Sequence, residues 1–141
     1  MKKVVNIPRY AITPTSFSFV DPDKTAWISI GEPESSFVHL CHNKLDSCPN
    51  LKISFHDLFS LETFDDPELV PPTQSHANEI VRFILDHKDR DFIINCAAGI
   101  SRSAAICKYM EDFHGYKWMD IGKSLAIPNH YLYNLLRKVN I

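Results

Sequence analysis

A chain of 141 residues with 45% hydrophobic and 23% charged residues can bury one ordinary core, and its balance is that of a globular rather than a disordered chain. A formal net charge of -2 gives no overall attraction to nucleic acid or to an anionic membrane surface. No stretch approaches the roughly 20 apolar residues that span a bilayer. The two lysines near the start precede no apolar run of signal-peptide length, so one domain over residues 1–141, cytoplasmic and monomeric, is expected.

The first half reads as short strands between turns. Ala26–Ile30 (AWISI) is a β-rich run closed by Gly31 and Pro33. Phe37–Leu40 (FVHL) is a second such run, and Leu51–Phe55 (LKISF) a third, entered after Pro49-Asn50. Thr73 and Ser75 follow two prolines and are candidate helix caps. Ala77, Ile80, Val81, Ile84 and Leu85 then recur at helical spacing and predict one apolar face. Phe92–Ile94, a short apolar run bounded by charges, predicts a buried central strand.

A second helix carries Ala104, Cys107, Met110 and Phe113 and stops at Gly115. A last helix begins near Asn129 and buries Leu132, Leu135, Leu136 and Val139. Strands followed by helix, strand and helix define an α/β sheet with helices packed on it.

Four cysteines, at 41, 48, 96 and 107, are expected as thiols in a reducing compartment. Cys41, His42 and Cys48 cluster in sequence, but not at zinc-knuckle spacing, and no second ligand pair follows; no metal site is assigned. Cys107 falls on an apolar helix face and reads as core.

The informative segment is Ile94–Ala105, INCAAGISRSAA. A buried strand ends in Cys96; Arg102 and Ser103 follow, with Gly99 between, and a helix starts at once. A loop joining a strand to a helix N-terminus gathers backbone N–H groups into one concavity, which suits an anion. Gly99 allows a backbone conformation that a Cβ opposes. Arg102 can grip two phosphate oxygens with its planar fork. Beside that guanidinium and the helix N-terminus, the Cys96 sulfur is favoured as a thiolate, which can attack phosphorus in line and form a phosphocysteine. Ala97, Ala98, Gly99, Ile100, Ser101 and Arg102 are the expected phosphate-binding residues; Ser101 is expected only to add polarity.

This segment resembles the signature of the protein tyrosine and dual-specificity phosphatase superfamily: His-Cys, five residues, Arg, then Ser or Thr. Ile127–Leu136 (IPNHYLYNLL) is similar to the Pro-Asn-led final helix of compact dual-specificity members, and the helix at 75–87 sits where that family has one. The match covers about the C-terminal half; the N-terminal strands agree in order and length with short bacterial and viral members. The resemblance implies a central mixed, mostly parallel sheet of four or five strands flanked by helices. It also implies a cysteine-dependent, cofactor-free hydrolase acting on a phosphorylated protein or peptide, tyrosine-only or dual-specific. Asn95 stands where the family has His, and an amide cannot carry that charge.

The family mechanism requires an aspartic acid to protonate the leaving oxygen. Asp57, closing the run KISFHD at a strand end, is preferred; Asp65 and Asp66, at a more usual distance from Cys96, are the alternatives. Its neighbour His56 is expected to be a bystander. Ser103 is implied to stabilise the departing thiolate, with a helix cap as the plainer role. Asn129 is implied to brace the loop or to cap the last helix. Two other readings remain at this point. One is a pseudophosphatase that binds phosphorylated partners without turnover. The other is an arsenate reductase or sulfurtransferase, which also places a cysteine in an anion loop.

Overall fold

Runs of β-branched and aromatic residues too short to stand alone pair into one sheet. The computed structural model describes residues 2–33, 41–58, 68–97, 99–122 and 126–140. The strands are β1 (Lys3–Pro8), β2 (Thr25–Gly31), β3 (Asn50–Ser54), β4 (Asp91–Cys96) and β5 (Lys117–Asp120). Their order is β3-β2-β4-β1-β5, and every neighbouring pair is parallel. The α/β class holds, and the described sheet is wholly parallel rather than mixed. The expected strand at Phe37–Leu40 lies outside the described residues.

Three helices, α1 (Gln74–Asp86), α2 (Arg102–His114) and α3 (His130–Arg137), pack on one face. That layer joins Ile80 and Ile84 of α1, Ile106 and Met110 of α2 and Leu132 and Leu136 of α3 to Val4, Ile28, Phe92 and Ile94 of the sheet. Each fully buried aliphatic side chain contributes about 1.5–3 kcal/mol relative to exposure. The other face carries Ile7, Trp27 and Ile93, covered by Ile12, Val20, Leu45 and Cys48 from connecting segments. The connections that travel towards β3 thus supply the second face, and those that return towards β5 supply the helices. A single crossover hand requires that division. Because both faces are covered, β2 is buried along its whole length.

The helix ends follow local chemistry. Thr73 is the N-cap of α1: its side chain accepts from the His76 backbone N–H, and the His76 ring accepts from the Thr73 backbone N–H at 3.0 Å. Ser75 therefore lies inside the helix. Gly115 ends α2 in the left-handed region at φ 72°. Asn129 caps α3, its Oδ1 accepting from Leu132 N at 3.0 Å. Phe113 departs from expectation: it is 53% exposed and stacks on Tyr109. Leu135 and Val139 are half-buried against the core. No helix among the described residues is long and apolar enough to cross a membrane.

Candidate functional site

Five parallel strands bring their carboxyl ends to one edge of the sheet, where open α/β sheets bind ligands. Cys96 is the last residue of the central strand β4 and is 2% exposed. The loop after it is seated on the end of β1. Gly99 has φ +69°, and a Cβ there would lie 2.8 Å from the backbone nitrogen of Pro8, so conformation and space both demand glycine.

Donors from outside the loop hold its carbonyls. Arg9 N donates to Ala97 O at 3.2 Å, and Asn6 Nδ2 to Gly99 O at 2.7 Å. Ile127 N donates to Ile100 O at 2.7 Å, and Asn129 N to Ser101 O at 3.0 Å. In a trans peptide the C=O and the following N–H point in opposite directions. Carbonyls of Gly99, Ile100 and Ser101 bound outward therefore turn the N–H groups of Ile100, Ser101 and Arg102 the other way. Ser101, the N-cap of α2, makes no side-chain cap bond, so its hydroxyl does not compete for those first helical donors. The result is a nest of amides at a helix N-terminus, an anion-binding arrangement.

Arg102 is 5% exposed and fixed at both Nη atoms. Nη1 donates to Phe55 O at 2.8 Å, and Nη2 pairs with Glu32 Oε1 at 2.7 Å. Its Nε is buried and has no hydrogen-bond partner among the described residues. A buried donor on a charged group is costly unless something accepts from it. Glu32, just past β2, also interacts with Arg9; burial draws the Arg9 guanidinium below its usual value and Glu32 opposes that.

Asp57 is brought to this loop. Its Oδ1 accepts from Ser101 Oγ at 2.8 Å and from Asn129 Nδ2 at 2.8 Å. Ser101 therefore does more than add polarity: it anchors the carboxylate. Asn129 combines both of its alternatives, capping α3 and tying the loop to Asp57. His56 is structural, its Nδ1 accepting from Val70 N at 2.7 Å. Asp65, Asp66 and Ala98 lie outside the described residues.

Ser103 sits within α2 rather than at its cap. Its Oγ is 3.2 Å from Cys96 Sγ and 2.5 Å from Asn6 Oδ1. Asn95 is bonded to Trp27: Oδ1 accepts from Trp27 Nε1 at 2.8 Å, and Nδ2 is buried with no partner among the described residues. Cys107 is fully buried, and burial, with Asp120 and Cys96 nearby, pushes its thiol well up, as befits a core side chain. Cys41 is exposed and Cys48 buried. Between them His42 accepts from Leu45 N at Nδ1 (3.2 Å), while Nε2 pairs with Thr13 O at 2.8 Å.

Asn6, Glu32 and Asp120 take part in this cluster and were not found by reading the sequence. Asn6 had a faint signal, as the one polar residue in Val4–Ile7, and so did Glu32, as a charge just beyond a strand's carboxyl end. Compared with known proteins, the chain matches no protein-family model, no curated protein and no solved structure.

Proposed function

We propose that this chain is a cysteine-dependent phosphomonoester hydrolase that needs no metal, akin to the protein tyrosine and dual-specificity phosphatases, acting through a phosphocysteine. The observation that carries the reading is the outward anchoring of the Gly99, Ile100 and Ser101 carbonyls in a loop that begins at a buried cysteine and ends at a buried arginine. Amides and guanidinium together match a phosphoryl dianion.

In the first half-reaction the Cys96 thiolate attacks phosphorus. The S–P bond forms as the P–O bond to the leaving group breaks, and Asp57 gives its proton to that oxygen. With Oδ1 held by Ser101 and Asn129, Oδ2 is the atom to carry the proton. In the second half, Asp57 takes a proton from water, the water oxygen bonds to phosphorus, and the S–P pair returns to sulfur. The Ser103 hydroxyl, 3.2 Å away, then donates to the thiolate. Arg102 and the loop amides hold the charge on the equatorial oxygens throughout. Ala97, Ala98 and Ile100 bring no lysine into the loop, which favours a phosphorylated peptide over a polyphosphorylated small molecule.

Purified protein should release phosphate from an aryl phosphate in the presence of a chelator. Cys96→Ser should lose turnover while still binding phosphate. Asp57→Asn should lower kcat by about 10²–10⁴ and lose the basic limb of the pH–rate profile. Turnover surviving in Cys96→Ser would end the reading. Asn95 favours a second one, a phosphopeptide-binding pseudophosphatase, because it carries no charge and its side-chain oxygen is committed to Trp27. Tight phosphopeptide binding with no turnover, in wild type and in Asn95→His alike, would select it.

A further inference from the structure

We propose that Asn6 is a positioning residue that governs how readily Cys96 ionises, by holding the hydrogen of the Ser103 hydroxyl away from the sulfur. The proposal rests on the reading of Cys96 as nucleophile. It follows from the donors and acceptors along five side chains, Trp118, Asp120, Asn6, Ser103 and Cys96.

Asn6 Nδ2 faces two acceptors, Gly99 O at 2.7 Å and Asp120 Oδ1 at 2.8 Å. Asp120 Oδ1 also accepts from Trp118 Nε1 at 2.9 Å, which fixes it as an acceptor. The amide orientation is thereby set, and Asn6 Oδ1 must face Ser103. An amide oxygen only accepts, so Ser103 Oγ, 2.5 Å away, is the donor. A hydroxyl has one hydrogen. Towards Cys96 Sγ, Ser103 Oγ is therefore an acceptor, and the arrangement described is that of a thiol, S–H donating to Ser103.

Ionisation reverses the chain. The thiolate only accepts, so the Ser103 hydrogen must swing from Asn6 Oδ1 to sulfur. Asn6, 2% exposed, is then left with a buried unpaired oxygen. That loss opposes the thiolate. Among the described residues, the charged and titratable groups around the loop include Arg102 and Cys107 from α2, Arg9 after β1, Glu32 after β2, His56 and Asp57 after β3 and Asp120 from β5. Arg102, the cation of the loop itself, is already engaged by Glu32. The neutral Ser103–Asn6 contact is thus the element of the site that discriminates between thiol and thiolate by hydrogen-bond direction. The same swing is needed when sulfur leaves the phosphocysteine, so Asn6 acts on both half-reactions.

The test is the pH dependence of Cys96 alkylation by iodoacetamide, followed by peptide mass spectrometry in the absence of any phosphate ester. Asn6→Ala, and Asn6→Leu, which keeps the side-chain bulk without the amide oxygen, should shift the alkylation midpoint down by about half to one pH unit. That is a gain of about three- to tenfold in thiolate below the midpoint, the worth of one neutral hydrogen bond. With Ser103→Ala as background, adding either Asn6 substitution should leave the midpoint where it is. A second readout needs no change at Asn6: its side-chain amide resonances in wild type should titrate with the alkylation midpoint and cease to do so in Ser103→Ala. An unchanged or raised midpoint in the Asn6 variants, or a wild-type amide that ignores Cys96 ionisation, would overturn the proposal. Since no readout involves turnover, its failure is distinct from failure of the phosphatase reading.

Discussion

At the scale of single residues, the site is held by groups that do two jobs. Asn129 caps α3 with its oxygen and fixes Asp57 with its nitrogen. Asn129→Ala should therefore cost about 0.5–2 kcal/mol in denaturant unfolding and also lower kcat, whereas an ordinary cap would cost stability alone. His76 shows how burial sets a pH response. It completes the capping box of α1 as a neutral ring, against Phe55, and burial holds its pKa below the usual 6.5 with Glu79 opposing. A lowered pKa means that the folded state prefers the neutral form. Its contribution is full above the unfolded value and is lost as pH falls through that value towards the folded one. His114, lowered by burial and by Lys88, acts in the same sense. Replacing His76 with Gln keeps the capping box and removes the titration. His76→Gln should lose less Tm than wild type between about pH 7.5 and about pH 5.5; an equal loss would assign the effect elsewhere.

At the scale of elements, the loop and its two flanking elements form one unit. Gly99 and Gly115 have nearly the same φ, +69° and +72°, yet different surroundings. A Cβ at Gly99 meets the backbone of Pro8, while one at Gly115 meets no described residue within 4 Å. Gly115→Ala should cost about 1–2 kcal/mol of left-handed strain and leave phosphate affinity intact. Gly99→Ala should displace the loop from β1 and abolish measurable phosphate binding by calorimetry. Equal effects of the two would mean that the loop is not preformed on β1.

Elements also differ in how far local sequence betrays them. α1, α2 and the strand before Cys96 carry their own period, caps and stops, so each is evident in its local sequence. β5 is four residues with an exposed face, and the pairing of its backbone with β1 is what makes it a strand. β1 is six residues containing Lys3 and Asn6, too short and too polar to signal strongly.

At the scale of the whole molecule, the parallel order β3-β2-β4-β1-β5 places the ends of β4, β2, β3 and β1 side by side, and with them Cys96, Glu32, Asp57 and the Asn6 contact. The pieces with local chemistry, Cys96 to Ser103 and the strand-end Asp57, were legible because a loop needs its residues at fixed spacing. Glu32 and Asn6 reach their partners across 70 and 97 positions, and no periodicity encodes such a meeting. Asp120 reaches Asn6 across 114. Only the sheet order brings them together. Asn95 is legible as a departure from the family pattern, but its turn towards Trp27 depends on the β2–β4 register.

The central claim is that the sulfur of Cys96 receives the phosphoryl group. The direct measurement is acid quenching of protein mixed with excess aryl phosphate within the first turnover, followed by peptide mass spectrometry under conditions that preserve S–P bonds. One phosphoryl group on the peptide containing Cys96, appearing at the rate of aryl-alcohol release and absent in Cys96→Ser, is the predicted result. Release of the alcohol with Cys96 unmodified at every time point, or a phosphoryl group on another residue, would contradict it.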